Sequence, residues 1–213
     1  MTQETMTILI TIGPTQESLD SMRLISNRST GDLGTRIALR MAEEGHRVIA
    51  LRGTGCTAEP AELTRKCARV TPFTSTDELS SCLERLSKEE SVDAIFHAAA
   101  VSDFYLPGAG NGKIPASEGS LTLTLEPTPK LLPRMRGWFP NAAITGWKFE
   151  AAGGKESSLS AASSQIAGCK TDACVVNGPS YGEGFGVLGK NGELVHLADR
   201  DALCEFLAEK VTR

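Results

Sequence analysis

Thr7-Ile-Leu-Ile-Thr-Ile12, stopped by Gly13-Pro14, decides the reading of the fold. Six apolar or β-branched residues that end on a glycine–proline pair predict a buried strand with a turn at its carboxyl end. Downstream, Leu33, Ile37, Ala38 and Met41 recur at helical spacing and Gly45 stands where a helix stops. Arg47-Val-Ile-Ala-Leu51 then reads as a second strand. Strand, glycine-bearing loop, helix and strand together form the opening of a Rossmann-like sheet.

The alternation continues with a short strand at 70–73, a helix at 76–88 and a strand at 94–100. Further on it predicts helices near 130–136 and 157–167, strands at 143–148 and 173–176, and a closing helix at 201–211. A hairpin at 186–195 is expected to turn at Asn191-Gly192 as a type I′ pair. Pro107-Gly-Ala-Gly-Asn-Gly112 interrupts the rhythm, and Leu121-Thr-Leu-Thr-Leu125 alternates with period two. This predicts a mobile loop and a half-exposed β-arm, a flap and arm near 105–127. The expected class is α/β: a mostly parallel sheet with helices on both faces, one domain over 1–213.

Bulk composition narrows the function. A chain of 213 residues with 40% hydrophobic and 23% charged residues is an ordinary globular protein, and a net charge of −4 argues against a general nucleic-acid binder. Cys56, Cys67, Cys82, Cys169, Cys174 and Cys204 are irregularly spaced, which favours structural thiols in a reducing compartment over zinc. No segment approaches the ~20 apolar residues of a membrane span, and no basic leader is visible. The expectation is a cytoplasmic protein.

Ligands of open α/β sheets bind outside the carboxyl ends of the strands. Four loops therefore matter: 13–34, 97–113, 146–150 and 177–185. In the first, Ser29-Thr30-Gly31 precedes a helix, where free amides suit an anion; a plain helix cap is an equal reading. Asp32 is a negative charge where a phosphate site would be expected to carry a cation. In the second, Ala98 and Ala99 give a flat ligand close approach and Asp103 can accept hydrogen bonds or help hold a metal. His97 is given no catalytic role. Lys113 on the glycine-rich loop can close over phosphates, and Lys148 between Trp147 and Phe149 needs a partner or a pocket opening. A nicotinamide-dependent reductase is disfavoured: the residues four after Tyr105 and Tyr181 are Ala109 and Phe185, so its Tyr-x-x-x-Lys pair is absent.

These stretches resemble the phosphopantothenoylcysteine synthetase family, the synthetase half of the bacterial DNA/pantothenate metabolism flavoproteins. The resemblance rests on Thr11–Asp20, Arg23–Asn27 with Ser29-Thr-Gly31 and Gly34, and His97–Phe104. It extends through Gly112-Lys-Ile114, Pro127-Thr-Pro129 and Lys170–Asn177. It implies a stand-alone ligase that joins 4′-phosphopantothenate to L-cysteine through an acyl-nucleotide in coenzyme A biosynthesis. CTP or ATP would be co-substrate with Mg2+, and the assembly a homodimer. Carried over by position, Asn27 would hold the reacting carboxylate and Lys113 would act in the second step. Gly13, Ser29 and Gly31 would line the phosphate path, Ala98, Ala99 and Asp103 would meet the nucleotide, and Lys148, Lys170 and Asn177 would complete its pocket.

Two positions depart from the family pattern. Asp32 replaces a common lysine or arginine, and Pro115-Ala116 replaces further flap lysines, while Gly146-Trp-Lys-Phe-Glu150 returns one cation. A nucleotide-binding relative with another carboxylate substrate, or with a binding role, is the second reading these departures allow.

Overall fold

A computed structural model describes residues 4–109, 112–115 and 119–212. Gly110 and Asn111 of the glycine-rich loop, and Ala116 beyond it, lie outside the described residues. Strand β1 (Thr7–Ile12) leads into a small hairpin of β2 (Gln16–Ser18) and β3 (Leu24–Ser26), then helix α1 (Asp32–Glu43). There follow β4 (Arg47–Gly53), α2 (Ala61–Lys66), β5 (Arg69–Phe73), α3 (Thr76–Glu89), β6 (Ala94–His97), and the two-residue strands β7 (Phe104–Tyr105) and β8 (Glu126–Pro127). Next come α4 (Leu132–Trp138), β9 (Ala143–Phe149), α5 (Lys155–Cys169), β10 (Ala173–Asn177), β11 (Phe185–Gly189), β12 (Leu194–Leu197) and α6 (Arg200–Thr212).

The main sheet runs β12-β11-β10-β9-β6-β1-β4-β5, parallel from β5 to β10 and antiparallel at β11 and β12. It is Rossmann-like. Because consecutive side chains of a strand face opposite ways, β1 serves both layers: Ile8, Ile10 and Ile12 pack with Ile37 and Met41 of α1 and Leu203 and Leu207 of α6. Leu9 packs on the other face with Leu79 and Leu83 of α3 and Met135 of α4. A third cluster seats α5 on β10 through Ala162, Ile166, Cys174 and Val176. Pro72 sits in β5, an edge strand, where a missing backbone donor is tolerated.

Two expectations are corrected. Residues 121–125 form no strand; Leu121 is 53% exposed, and among the described residues the arm's only ladder is β7 with β8. The hairpin exists, but Asn191 does not have positive φ and only Gly192 does (+83°). Gly192 N–H donates to Gly189 O and Gly189 N–H to Glu193 O, so the loop is three residues long with a glycine bulge, not type I′. The β2–β3 hairpin and α2 are additions, too short to announce themselves by periodicity.

Candidate functional site

The sheet order reverses at β1 and β6: the chain steps from β1 out to β4 and β5, then returns to β6 on the other side. The crevice outside the carboxyl ends of β1 and β6 is therefore where ligands bind in such folds. The two loops leaving it are laced together. Pro14 bridges Ala100, Ala100 N–H donates to Gly13 O at 2.9 Å, and Thr15 N–H donates to Ala100 O at 3.2 Å. Thr15 Oγ1 accepts from Ser102 N–H at 2.8 Å. Asn27, just beyond β3, is exposed and its Nδ2 donates to Ala100 O (3.2 Å) and Val101 O (3.0 Å). Asn27 thus stands over the switch point, joined to the loop that carries Ala98, Ala99 and Asp103.

Helix α1 begins at Gly31, whose φ of +77° suits glycine and which supplies no side-chain cap. Thr30 Oγ1 accepts from Asp32 N–H at 3.3 Å, and Ser29 caps nothing. The helix N-terminus keeps its anion-favouring dipole. Gly13 and Gly31 are small for a packing reason: a Cβ on either would lie 2.0 Å or 2.6 Å from Cys56 Sγ. Asp32 faces away along the surface, paired with Arg36 (3.1 Å) and with Arg200 at the start of α6 (3.7 Å).

Beside the crevice, at the ends of β6 and β9, opens a cavity of about 340 Å³. Ala99, Asp103 and Lys148 line it, with His97, Trp147 and Gln165. Lys148 Nζ pairs with Glu150 at 3.1 Å, which answers the need of a strand-end cation for a partner. Lys130 reaches into the same recess and pairs closely with Asp103. Its site role went unnoticed in the sequence, where it reads only as a helix start; it arrives there because Thr128 is stitched to the loop, N–H to Asp103 O at 3.0 Å and hydroxyl to Ser102 O. His97 is buried, with Nδ1 2.8 Å from Thr11 Oγ1, and burial holds its pKa down to about 4. It is a neutral wall of the cavity at physiological pH.

Lys113 is exposed, and its neighbour Ile114 is tied to the β2–β3 hairpin: Ile114 N–H donates to Asp20 Oδ2 at 3.0 Å. Asn177 ends β10, on the same side of the sheet, and its Oδ1 is buried with no hydrogen-bond partner among the described residues. Lys170 is not brought to this end. It precedes β10, and in a parallel strand that is the amino edge; it is the left-handed C-cap of α5 (φ 56°), its carbonyl accepting from Arg136 Nε at 3.1 Å. Its recess is shared with Asn141, Asp172 and Lys190.

The family model described as the DNA/pantothenate metabolism flavoprotein C-terminal domain matches residues 3–210. The chain belongs to this family. Among curated relatives of this flavoprotein C-terminal domain, it is 32% identical over 170 residues to the coenzyme A biosynthesis bifunctional protein CoaBC of Thermococcus kodakarensis, covering 80% of this chain and 40% of that protein. It is 29% identical over 196 residues to the protein of the same name from Mycobacterium bovis, covering 88% and 45%. The chain spans less than half the length of these relatives. The fold is shared with the DNA/pantothenate metabolism flavoprotein from Streptococcus pneumoniae (TM-score 0.82, 21% identity, 97% of this chain and 98% of that one). It is shared also with a Cab2 mutant in complex with phosphopantothenate-cysteine (TM-score 0.77, 21% identity, 97% and 87%). In this chain the turn after β1 leads to the β2–β3 hairpin, not directly into a helix as a dinucleotide fingerprint requires.

Proposed function

We propose that this domain, read as one unit over 1–213, is a phosphopantothenate–cysteine ligase of the cytoplasm. The observation that carries the reading is the junction at the switch point: Asn27 bonded to the 98–103 loop, with the segment of Lys113 tied to the same hairpin that leads to Asn27. Similarity to CoaBC proteins, and the fold shared with a protein solved with phosphopantothenate-cysteine, support it.

In the first step the pantothenate carboxylate attacks the α-phosphate of CTP or ATP, giving an acyl-nucleotide and releasing pyrophosphate. In the second the cysteine amine attacks the acyl carbon, expels the nucleoside monophosphate and loses a proton. Both steps move negative charge, so placed donors and cations matter more than a protein nucleophile. Asn27 Nδ2 holds the carboxylate and acyl group, exchanging one of its two carbonyl partners for the ligand. Amides around Gly13, Ser29 and Gly31 face the phosphates. Ala98, Ala99, Asp103 and Lys148 meet the nucleotide, Lys130 adds a cation and Asn177 an acceptor. Lys113 acts in the second step. Mg2+, which offsets phosphate charge when bound, would rest on Asp103: one carboxylate with substrate phosphates suits Mg2+, and no cluster of three or more protein ligands occurs among the described residues.

The reading with another carboxylate substrate or a binding role rests on Asp32 and on the reduced basic flap at Pro115-Ala116; of these, the charge of Asp32 is taken up by Arg36 and Arg200. A homodimer is supported by Phe104, Leu121 and Leu125, large apolar side chains exposed on the arm. Purified protein mixed with 4′-phosphopantothenate, cysteine, Mg2+ and either CTP or ATP is expected to release pyrophosphate, and Asn27→Ala to lower that release at least 100-fold. No release with either nucleotide refutes the ligase; release that persists in Asn27→Ala refutes the residue's role.

A further inference from the structure

We propose that Asp20 is a positioning residue for Lys113, acting by clamping the backbone of Ile114 with Arg23. The inference rests on the ligase reading and adds a part to it. The carboxylate divides its two oxygens between two jobs. Oδ1 accepts from Met22 N–H and Arg23 N–H, both at 2.8 Å, which is the local work of an aspartate in a tight turn. Oδ2 accepts from Ile114 N–H at 3.0 Å and from Arg23 Nε at 2.9 Å, while Arg23 Nη2 donates to Ile114 O at 2.8 Å.

Both backbone polar groups of Ile114 are therefore held by one ion pair 91–94 residues away in sequence. A turn stabiliser has no need of either bond. Asp20 is 5% exposed, and Arg23 and the Ile114 amide keep its carboxyl ionised far below the usual carboxylate range. Pro115 fits the arrangement: it biases the preceding Ile114 towards extended backbone, so the clamped residue is pre-set for two-point attachment. On the other side of the clamp, Arg23 is followed directly by β3 and Asn27, and Asn27 is held separately by Ala100 O and Val101 O, so losing the clamp frees the lysine and leaves the acyl-holding residue in place.

The test separates the two chemical steps by rapid quench. In Asp20→Asn, acyl-nucleotide formation is expected to stay within 3-fold of wild type, while its consumption by cysteine slows at least 10-fold, as in Lys113→Ala. Arg23→Met removes the guanidinium that holds Ile114 O and keeps the turn bonds of Asp20 Oδ1 to the amides of residues 22 and 23, so it must show the same split; it also decides the matter if Asp20→Asn folds poorly. Hydrogen exchange gives a readout independent of activity: the Ile114 amide is expected to be protected in wild type and to lose protection in Asp20→Asn. Both steps slowing together, neither slowing, or protection surviving the substitution would overturn the clamp. Absence of pyrophosphate in the wild-type reaction would instead overturn the ligase reading, with the Ile114 exchange result standing on its own.

Discussion

Gly13→Ala tests the packing beneath the phosphate path. At φ +81° an alanine costs about 1–2 kcal/mol. Its Cβ would stand 2.0 Å from Cys56 Sγ, a position that requires the thiol or the loop to shift. Overpacking of that kind costs about 1–3 kcal/mol, so the substitution should destabilise the fold by about 2–5 kcal/mol. The two parts are separable. With Cys56→Ala the nearest remaining atom is Cβ of residue 56 at 3.5 Å, an ordinary contact, and only the conformational part survives. Cys56→Ala alone removes one partly buried thiol, worth about 1 kcal/mol. Urea unfolding of wild type, both single variants and the double variant closes the cycle, with an expected coupling of about 1–3 kcal/mol in favour of the double variant. The reasoning fails if Gly13→Ala costs the same with and without the Cys56 thiol.

His97 should give the protein an acid-sensitive component. Its native pKa of about 4 lies below the ordinary 6.5, so the unfolded chain takes up a proton that the native state refuses. Stability is full above about pH 6.5 and falls as the pH drops towards 4, by about 3 kcal/mol at 1.36 kcal/mol per pKa unit. Urea midpoints at pH 7 and 4.5 should separate more for wild type than for His97→Asn, and equal separations would refute it. For the arm, sedimentation velocity should show a dimer that Leu121→Glu shifts to monomer; a wild-type monomer at micromolar concentration counts against the pairing surface.

The strand β1 was legible because its pattern is physical: a strand buried on both faces must be apolar at every position, and Thr7–Ile12 is so but for two β-branched threonines. Helices with one apolar stripe and a glycine stop were legible for the same reason, and strand ends told which loops to inspect. Leu121–Leu125 misled because period two reports a possible strand, not a partner to pair with. Asn191-Gly192 marked the hairpin correctly, but turn type depends on the backbone of both residues, and only Gly192 is left-handed.

What the sequence by itself determined is the main-sheet strands with their longer helices, their order and the Rossmann-like sheet that follows from them, because periodicity and turn chemistry act over a few residues. Tertiary structure alone decided which side chains share a site. Lys170 and Asn177 are seven residues apart in one motif, yet a strand carries them to opposite edges of the sheet. Asp20 and Ile114 are 94 residues apart and meet through one hydrogen bond. Hydrogen bonds and packing act across space, and no spacing along the chain records them.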